Sequence, residues 1–246
     1  MTIDLSGKTI LVTGAGRGIG KAITSSLLDA GATVAAHFGS TVPTEHPRCA
    51  HYQADLVSIA DVAQLFAMVE EDHGRIDGLV LNAGVAISAP INSGTDAWLE
   101  AWDRTMRVNL RATEYLTRRM IAHTAGRDGV GRIVYVASRA AFRGDTPDYL
   151  AYAASKAGVV AIARSVARGC GREGLRSFVV APGFTRTDMA ADFIEAYGED
   201  YATQNLATER LTEPEDIAPT VTFLLSGYAD HATGATIDIN AASYVR

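Results

Sequence analysis

Tyr152 and Lys156 stand four residues apart in Ala151-Tyr152-Ala153-Ala154-Ser155-Lys156. On a helix that spacing puts both on one face, about 6 Å apart along the axis. A free tyrosine titrates near about 10 and is a poor proton donor or acceptor at neutral pH. A neighbouring ammonium favours the phenolate and lowers that value, so the pair suits general acid–base work. The chain holds only 3 lysines beside 19 arginines. Even so, about one sequence in nine of this composition would contain such a pair by accident, so the reading needs company. Ser138 closes a Val/Ile-rich run, and a hydroxyl at the carboxyl end of a strand can hold a substrate oxygen or simply cap the chain. Asn109 falls inside a long helical pattern, where asparagine is a poor choice. It is a kink, a satisfied buried amide or part of the site.

A second cluster supplies a binding surface. A short apolar run leads into Thr13-Gly14-Ala15-Gly16-Arg17-Gly18-Ile19-Gly20 and then a helical pattern. Glycines at a strand-to-helix turn let backbone approach a pyrophosphate, which rests on the positive end of the helix dipole. The order strand, glycines, helix raises this above a lone glycine-rich run.

The elements that position these groups alternate along the chain. Strands are expected at residues 9–13, 33–37, 50–53, 76–82, 132–138, 177–181 and 236–239, several apolar on successive positions as in strands covered on both faces. Helices are expected at 18–30, 59–72, 95–124, 150–171 and 215–225. Ser58 with Asp61 reads as a capping box, and Pro214 suits a helix start. This pattern predicts one α/β domain over residues 1–246, a doubly wound (Rossmann) parallel sheet of about seven strands with helices on both faces. Residues 39–48, with two prolines and no helical period, predict a crossover reduced to a loop. Residues 185–208 predict a substrate lid.

Composition narrows the classes. The 246 residues are 48% hydrophobic and 20% charged, which excludes disorder. A net charge of −6 argues against nucleic acid as partner. Cys49 and Cys170 have no metal-ligand or redox spacing, so no metal is expected. Asp4 stands where a signal peptide would be basic, and no uncharged apolar run is long enough to span a bilayer. A cytoplasmic protein with no membrane partner is expected.

The glycine spacing, Asp55-Leu56, Asn82-Ala83-Gly84, Asn109, Ser138, Tyr152-x-x-x-Lys156 and Pro182-Gly183 fall in an order that resembles the short-chain dehydrogenase/reductase family. The resemblance covers nearly the whole chain and is nearest to the 3-oxoacyl-carrier-protein-reductase branch. It implies that Gly14, Gly16, Arg17, Gly18, Ile19 and Gly20 line the coenzyme diphosphate and adenosine ribose. Asp55 would accept from the adenine amino group beside Leu56, and Asn82, Ala83 and Gly84 would flank the adenosine and nicotinamide. Lys156 would bind the nicotinamide ribose, and Pro182, Gly183, Thr185 and Thr187 would hold the carboxamide and diphosphate. Asn109 would stabilise a relay water reaching Lys156, and Ser138 would orient the substrate. A homotetramer or homodimer built on residues 95–124 and 150–171 is implied as well.

The implied activity is hydride transfer between a nicotinamide coenzyme and a small ketone, 3-oxo compound or secondary alcohol. Where an NAD enzyme places an acid after its second strand, this chain has Phe38, and Arg17 can meet a 2′-phosphate. NADP is expected, with NAD as the alternative and Ser40 or His37 assisting. The shortened crossover predicts an open adenosine end. Glu173 stands where carrier-protein reductases commonly show a basic residue, which weakens the alternative of a 3-oxoacyl-carrier-protein or CoA reductase. Arg118, Arg119 and Arg127 could still form a basic patch. The alternative of another class, a dinucleotide-binding regulator without catalysis, tends to lose the tyrosine or the lysine, and both stand here.

Overall fold

The computed structural model describes residues 2–190, 203 and 205–246. Seven strands form one parallel sheet in the order β3-β2-β1-β4-β5-β6-β7. They are β1 (Thr9–Val12), β2 (Thr33–Phe38), β3 (Cys49–Gln53), β4 (Gly78–Leu81), β5 (Gly131–Val136), β6 (Leu175–Pro182) and β7 (Thr236–Ile239). The strand order reverses where β1 pairs with both β2 and β4. A crevice opens there beyond the carboxyl ends, the usual ligand site of such sheets.

Successive strand residues point to opposite faces, and each face has its own core. Leu11, Leu79, Ile133 and Tyr135 pack with Phe66, Leu116, Met120 and Val159. Those come from α2 (Ile59–His73), α4 (Ala112–Thr124) and α6 (Leu150–Cys170). Val12, Val34, Val134 and Phe178 pack with Ile23, Leu27, Val221 and Leu224. Those come from α1 (Gly18–Asp29) and α7 (Pro214–Leu225). The Ser58 cap is in place, accepting from the Asp61 amide at 3.2 Å. Pro214 occupies the first turn of α7 behind a Glu213–Asp216 capping box.

Two expectations change. The single helix expected at 95–124 is α3 (Thr95–Met106), a π-helical turn at Arg107–Arg111, and α4. The crossover at 39–48 carries no helix, as expected, but it does not leave the adenosine end open. It folds back until a side chain on Gly16 would strike the Thr41 carbonyl. Both described ends of the expected lid are anchored. The Arg186 amide donates to Thr212 at 2.9 Å and the Ala207 amide to Ala241 at 2.8 Å. Phe193 and Tyr197, which lie in the expected lid, fall outside the described residues. Residues 147–173 are long and apolar enough to cross a membrane, yet Val159, Val160, Ala163 and Val166 of that segment are buried in the protein core.

Candidate active site

The carboxyl ends of the strands open onto a cleft of 1030 Å³. The glycine turn forms its floor. Gly14 and Gly18 take φ of +68° and +51°, the left-handed region that disfavours a side chain. A Cβ on Gly20 would strike the Gly14 carbonyl. The first turn of α1 has no side-chain cap and no acidic residue, so its amides face the cleft without a competing anion. That bare cradle fits a dinucleotide pyrophosphate.

Three side chains brace the turn from behind. Thr13 Oγ1 accepts from the amides of Asn82 and Ala83 at 3.0 and 3.1 Å. Asn82 Nδ2 donates to the carbonyls of Thr13 and Gly14 at 3.0 and 3.1 Å, so its amide protons hold the turn. His37 is 2% exposed. The Gly14 amide donates to its Nδ1 at 3.1 Å, which leaves the proton on Nε2 to donate to the Ala54 carbonyl at 3.2 Å. Burial lowers its pKa and keeps the ring neutral. His37 is therefore no cation for a 2′-phosphate, contrary to expectation. It ties the glycine turn to the end of β3.

The catalytic candidates converge on one wall. β5 carries the chain into Ser138, and the first turns of α6 present Tyr152, Ser155 and Lys156. Ser138 lines the cleft beside Tyr152, and its hydroxyl accepts from the Ala140 amide at 3.1 Å. Lys156 is 5% exposed. Its Nζ donates to the Val136 carbonyl at 2.8 Å and lies 5.9 Å from the centre of the Tyr152 ring. Burial pushes Lys156 down to about 8.

The phenol does not behave as the sequence suggested. Burial raises Tyr152 above its ordinary value of 10 and the Asp145 charge adds to this, whereas the nearby Ser138 hydroxyl and the Arg139 charge oppose it. The Lys156 ammonium is turned to the backbone and does not reverse the effect.

Asn109 lies in the π-helical turn, a distortion frequent at functional sites, and is 1% exposed. Its Oδ1 accepts from the Val85 amide at 2.8 Å. Its Nδ2 donates to the Val85 carbonyl at 2.8 Å and to Ser155 Oγ at 3.0 Å. Ser155 in turn donates to the Tyr152 carbonyl at 2.7 Å. Asn109 is both the kink and the satisfied amide. Both amide protons are used inside the protein, so a relay water would have to donate to one of its oxygens.

The remaining candidates also line the cleft. Asp55, Leu56, Ala83 and Gly84 sit at its β3–β4 side. A Cβ on Gly84 would come within 3.3 Å of Lys156 Nζ. Pro182, Gly183, Thr185 and Thr187 close the β6 side, with Thr187 against Gly18. Arg17 pairs with Asp188 at 3.2 Å, both well exposed. Arg119 and Arg127 are spent on Glu70, at 3.3 and 3.6 Å, which removes two members of the expected basic patch. Arg139 and Arg143, from the stretch 139–151 expected to shape the substrate pocket but not singled out there, line the cleft beside Ser138.

A phosphate cradle at the switch point, facing a tyrosine, a serine and a buried lysine on one wall, marks an oxidoreductase that works with a dinucleotide. Comparison with known proteins agrees. Residues 14–241 match the family described as Enoyl-(Acyl carrier protein) reductase. The 3-oxoacyl-[acyl-carrier-protein] reductase FabG of Haemophilus influenzae is 32% identical over 98% of this chain and 100% of its own. The NADPH-dependent 3-quinuclidinone reductase of Rhodotorula rubra superposes with a TM-score of 0.89 at 30% identity, over 98% of this chain and 93% of its own. A short-chain dehydrogenase from Burkholderia cenocepacia J2315 in complex with NADP gives 0.85 at 30% identity, over 97% and 98%. The chain belongs to the short-chain dehydrogenase/reductase family and is an NAD(P)-dependent oxidoreductase.

Proposed function

We propose that the chain reduces the carbonyl of a small ketone or 3-oxo compound, or oxidises the matching secondary alcohol, with NADP(H). The observation that carries this is the convergence of Ser138, Tyr152 and the buried Lys156 on one wall of a cleft floored by the glycine turn. Bound there, NADPH supplies a hydride to the carbonyl carbon. Ser138 and Tyr152 hold the carbonyl oxygen by hydrogen bonds, and Tyr152 gives up its proton to it as charge builds. A raised phenol pKa serves this direction, because the proton is present at neutral pH. An ammonium has three protons; Lys156 spends one on Val136, leaving two for ribose hydroxyls and for restoring the phenol. Asn109 positions this set by clamping Val85 and Ser155.

NADP is favoured over NAD because no carboxylate follows β2 at Phe38 to repel a 2′-phosphate. Arg17, whose exposed pair with Asp188 is weak, can exchange that partner for the phosphate. Michaelis constants for NADPH and NADH test the assignment: NADPH is expected to bind at least about tenfold more tightly. A clear NADH preference would reverse it.

The second reading, reduction of an acyl-carrier thioester, is favoured by the names of the relatives. Turnover of free ketones without a carrier separates the two, and strict carrier dependence would select the second. We further place the protein in the cytoplasm as a homotetramer or homodimer. The half-exposed Leu99 and Leu150, with the stacked Trp98–Trp102 pair, support a subunit contact through α3 and α6.

A further inference from the structure

The helical turn after Ser138, α5 (Ala140–Arg143), begins and ends with cations of one sign. Arg139 caps it and Arg143 follows four residues later on the same face. Both line the cleft, and so does Arg104 of α3. Among the described residues none of the three guanidiniums has an ion-pair partner, whereas nine other arginines do.

The arrangement costs stability. Arg139 is half-buried and within repulsive range of Arg143. Like charges at i, i+4 destabilise a helix, and a half-buried unpaired charge costs more. The Asp145 charge partly offsets that of Arg139, but Asp145 is exposed, accepts from the Thr146 amide at 2.8 Å and forms no ion pair with either arginine. The pair cannot swing clear as a unit either. Phe142, between them, is covered by the Arg246 guanidinium at 4.1 Å, and Arg246 is held to Asp238 at 2.9 Å. The fold thus fixes two guanidiniums that have no ion-pair partner among the described residues, one residue and five residues beyond Ser138.

We propose that Arg139 and Arg143 form an anion subsite for the substrate, so that the reaction favours small oxo compounds bearing a carboxylate or phosphate close to the reacting carbonyl. The proposal rests on the reductase reading and names its substrate class. A planar fork of N–H donors recognises either anion, and adjacency to Ser138 limits the spacer between anion and carbonyl to a few bonds.

The test compares matched probes. NADPH oxidation is followed with acetoacetate against methyl acetoacetate, and with dihydroxyacetone phosphate against dihydroxyacetone. The anionic member of at least one pair is expected to show a kcat/KM about tenfold or more above its neutral partner. That ratio is expected to fall toward one in Arg139→Gln and Arg143→Gln, and with rising salt. Which pair shows the preference assigns the anion as carboxylate or phosphate. Neutral probes preferred in both pairs, or a ratio that survives both substitutions, overturns the subsite. Calorimetric binding of malonate gives a readout without turnover. If no ketone is reduced, the reductase reading fails. Malonate binding that weakens about tenfold in the exposed variant Arg143→Gln then still supports the subsite, and absent binding overturns it.

Discussion

Replacing Asn109 with alanine isolates the clamp that sets the catalytic wall. The side chain is 1% exposed and makes three hydrogen bonds, two of them at 2.8 Å to the amide and carbonyl of Val85. Truncation leaves both Val85 groups without their partners in a half-buried position. Each such loss costs about 1–3 kcal/mol, less where water can reach the group. The third bond, to Ser155, costs less, because that hydroxyl keeps its donation to the Tyr152 carbonyl. We take about 2–4 kcal/mol in total. For a chain of this length each kcal/mol lowers Tm by about 2–4 °C, which places the expected drop at about 4–16 °C. Val85 stands beside Gly84, and Ser155 beside Lys156. A loosened clamp should therefore lower kcat more than it raises the KM for coenzyme. Calorimetry with steady-state kinetics measures both. A variant with wild-type Tm and kcat would show that the amide does not hold this wall.

Other outcomes follow from the same geometry. Gly16→Ala drives a methyl group into the Thr41 carbonyl and must displace the 39–48 loop, so the KM for NADPH should rise at least about tenfold with kcat less affected; an unchanged KM would mean the loop yields freely. His37→Phe keeps the ring volume but removes both ring hydrogen bonds, which should cost about 1–3 kcal/mol of stability and weaken NADPH binding. His37→Asn, whose oxygen can accept from Gly14, should recover part of that loss, and equal damage in both variants would contradict the lock. Lys156 is pushed down to about 8, so its charge is present below that pH and lost as pH rises through it. Coenzyme KM should therefore climb above pH 8, and a profile flat to about pH 10 would show that the ammonium is not used.

The sheet and the main site were legible because their signals are local. Strands covered on both faces read as Val/Ile runs, and the glycine turn and Tyr152–Lys156 spacing carry their geometry in a few residues. What was hidden depended on tertiary surroundings. Asn109 in a helical run hinted at a break, but only the Val85 contacts show why a π-helical turn is stable there. His37 sits near the end of a strand as any polar residue might, and its inward ring is fixed by Gly14 and Ala54, far apart in sequence. The direction of the Tyr152 shift was misread because spacing reveals the lysine's charge but not the burial that outweighs it. The 39–48 loop was correctly expected to lack a helix, yet its contact with Gly16 lies between residues 25 positions apart. Arg139 and Arg143 did not stand out within the stretch expected to shape the pocket, since arginines four apart are usually solvated, and that neither has an ion-pair partner among the described residues is a property of the folded cleft.

The central claim is that the Tyr152 hydroxyl delivers the proton. Tyr152→Phe removes that oxygen and leaves the ring, the Lys156–Val136 bond and the glycine cradle in place. Reductive kcat should fall about 100- to 10,000-fold, while NADPH affinity, read by fluorescence titration, stays within about threefold of wild type. A variant that keeps most of its turnover on the same ketone would contradict the assignment.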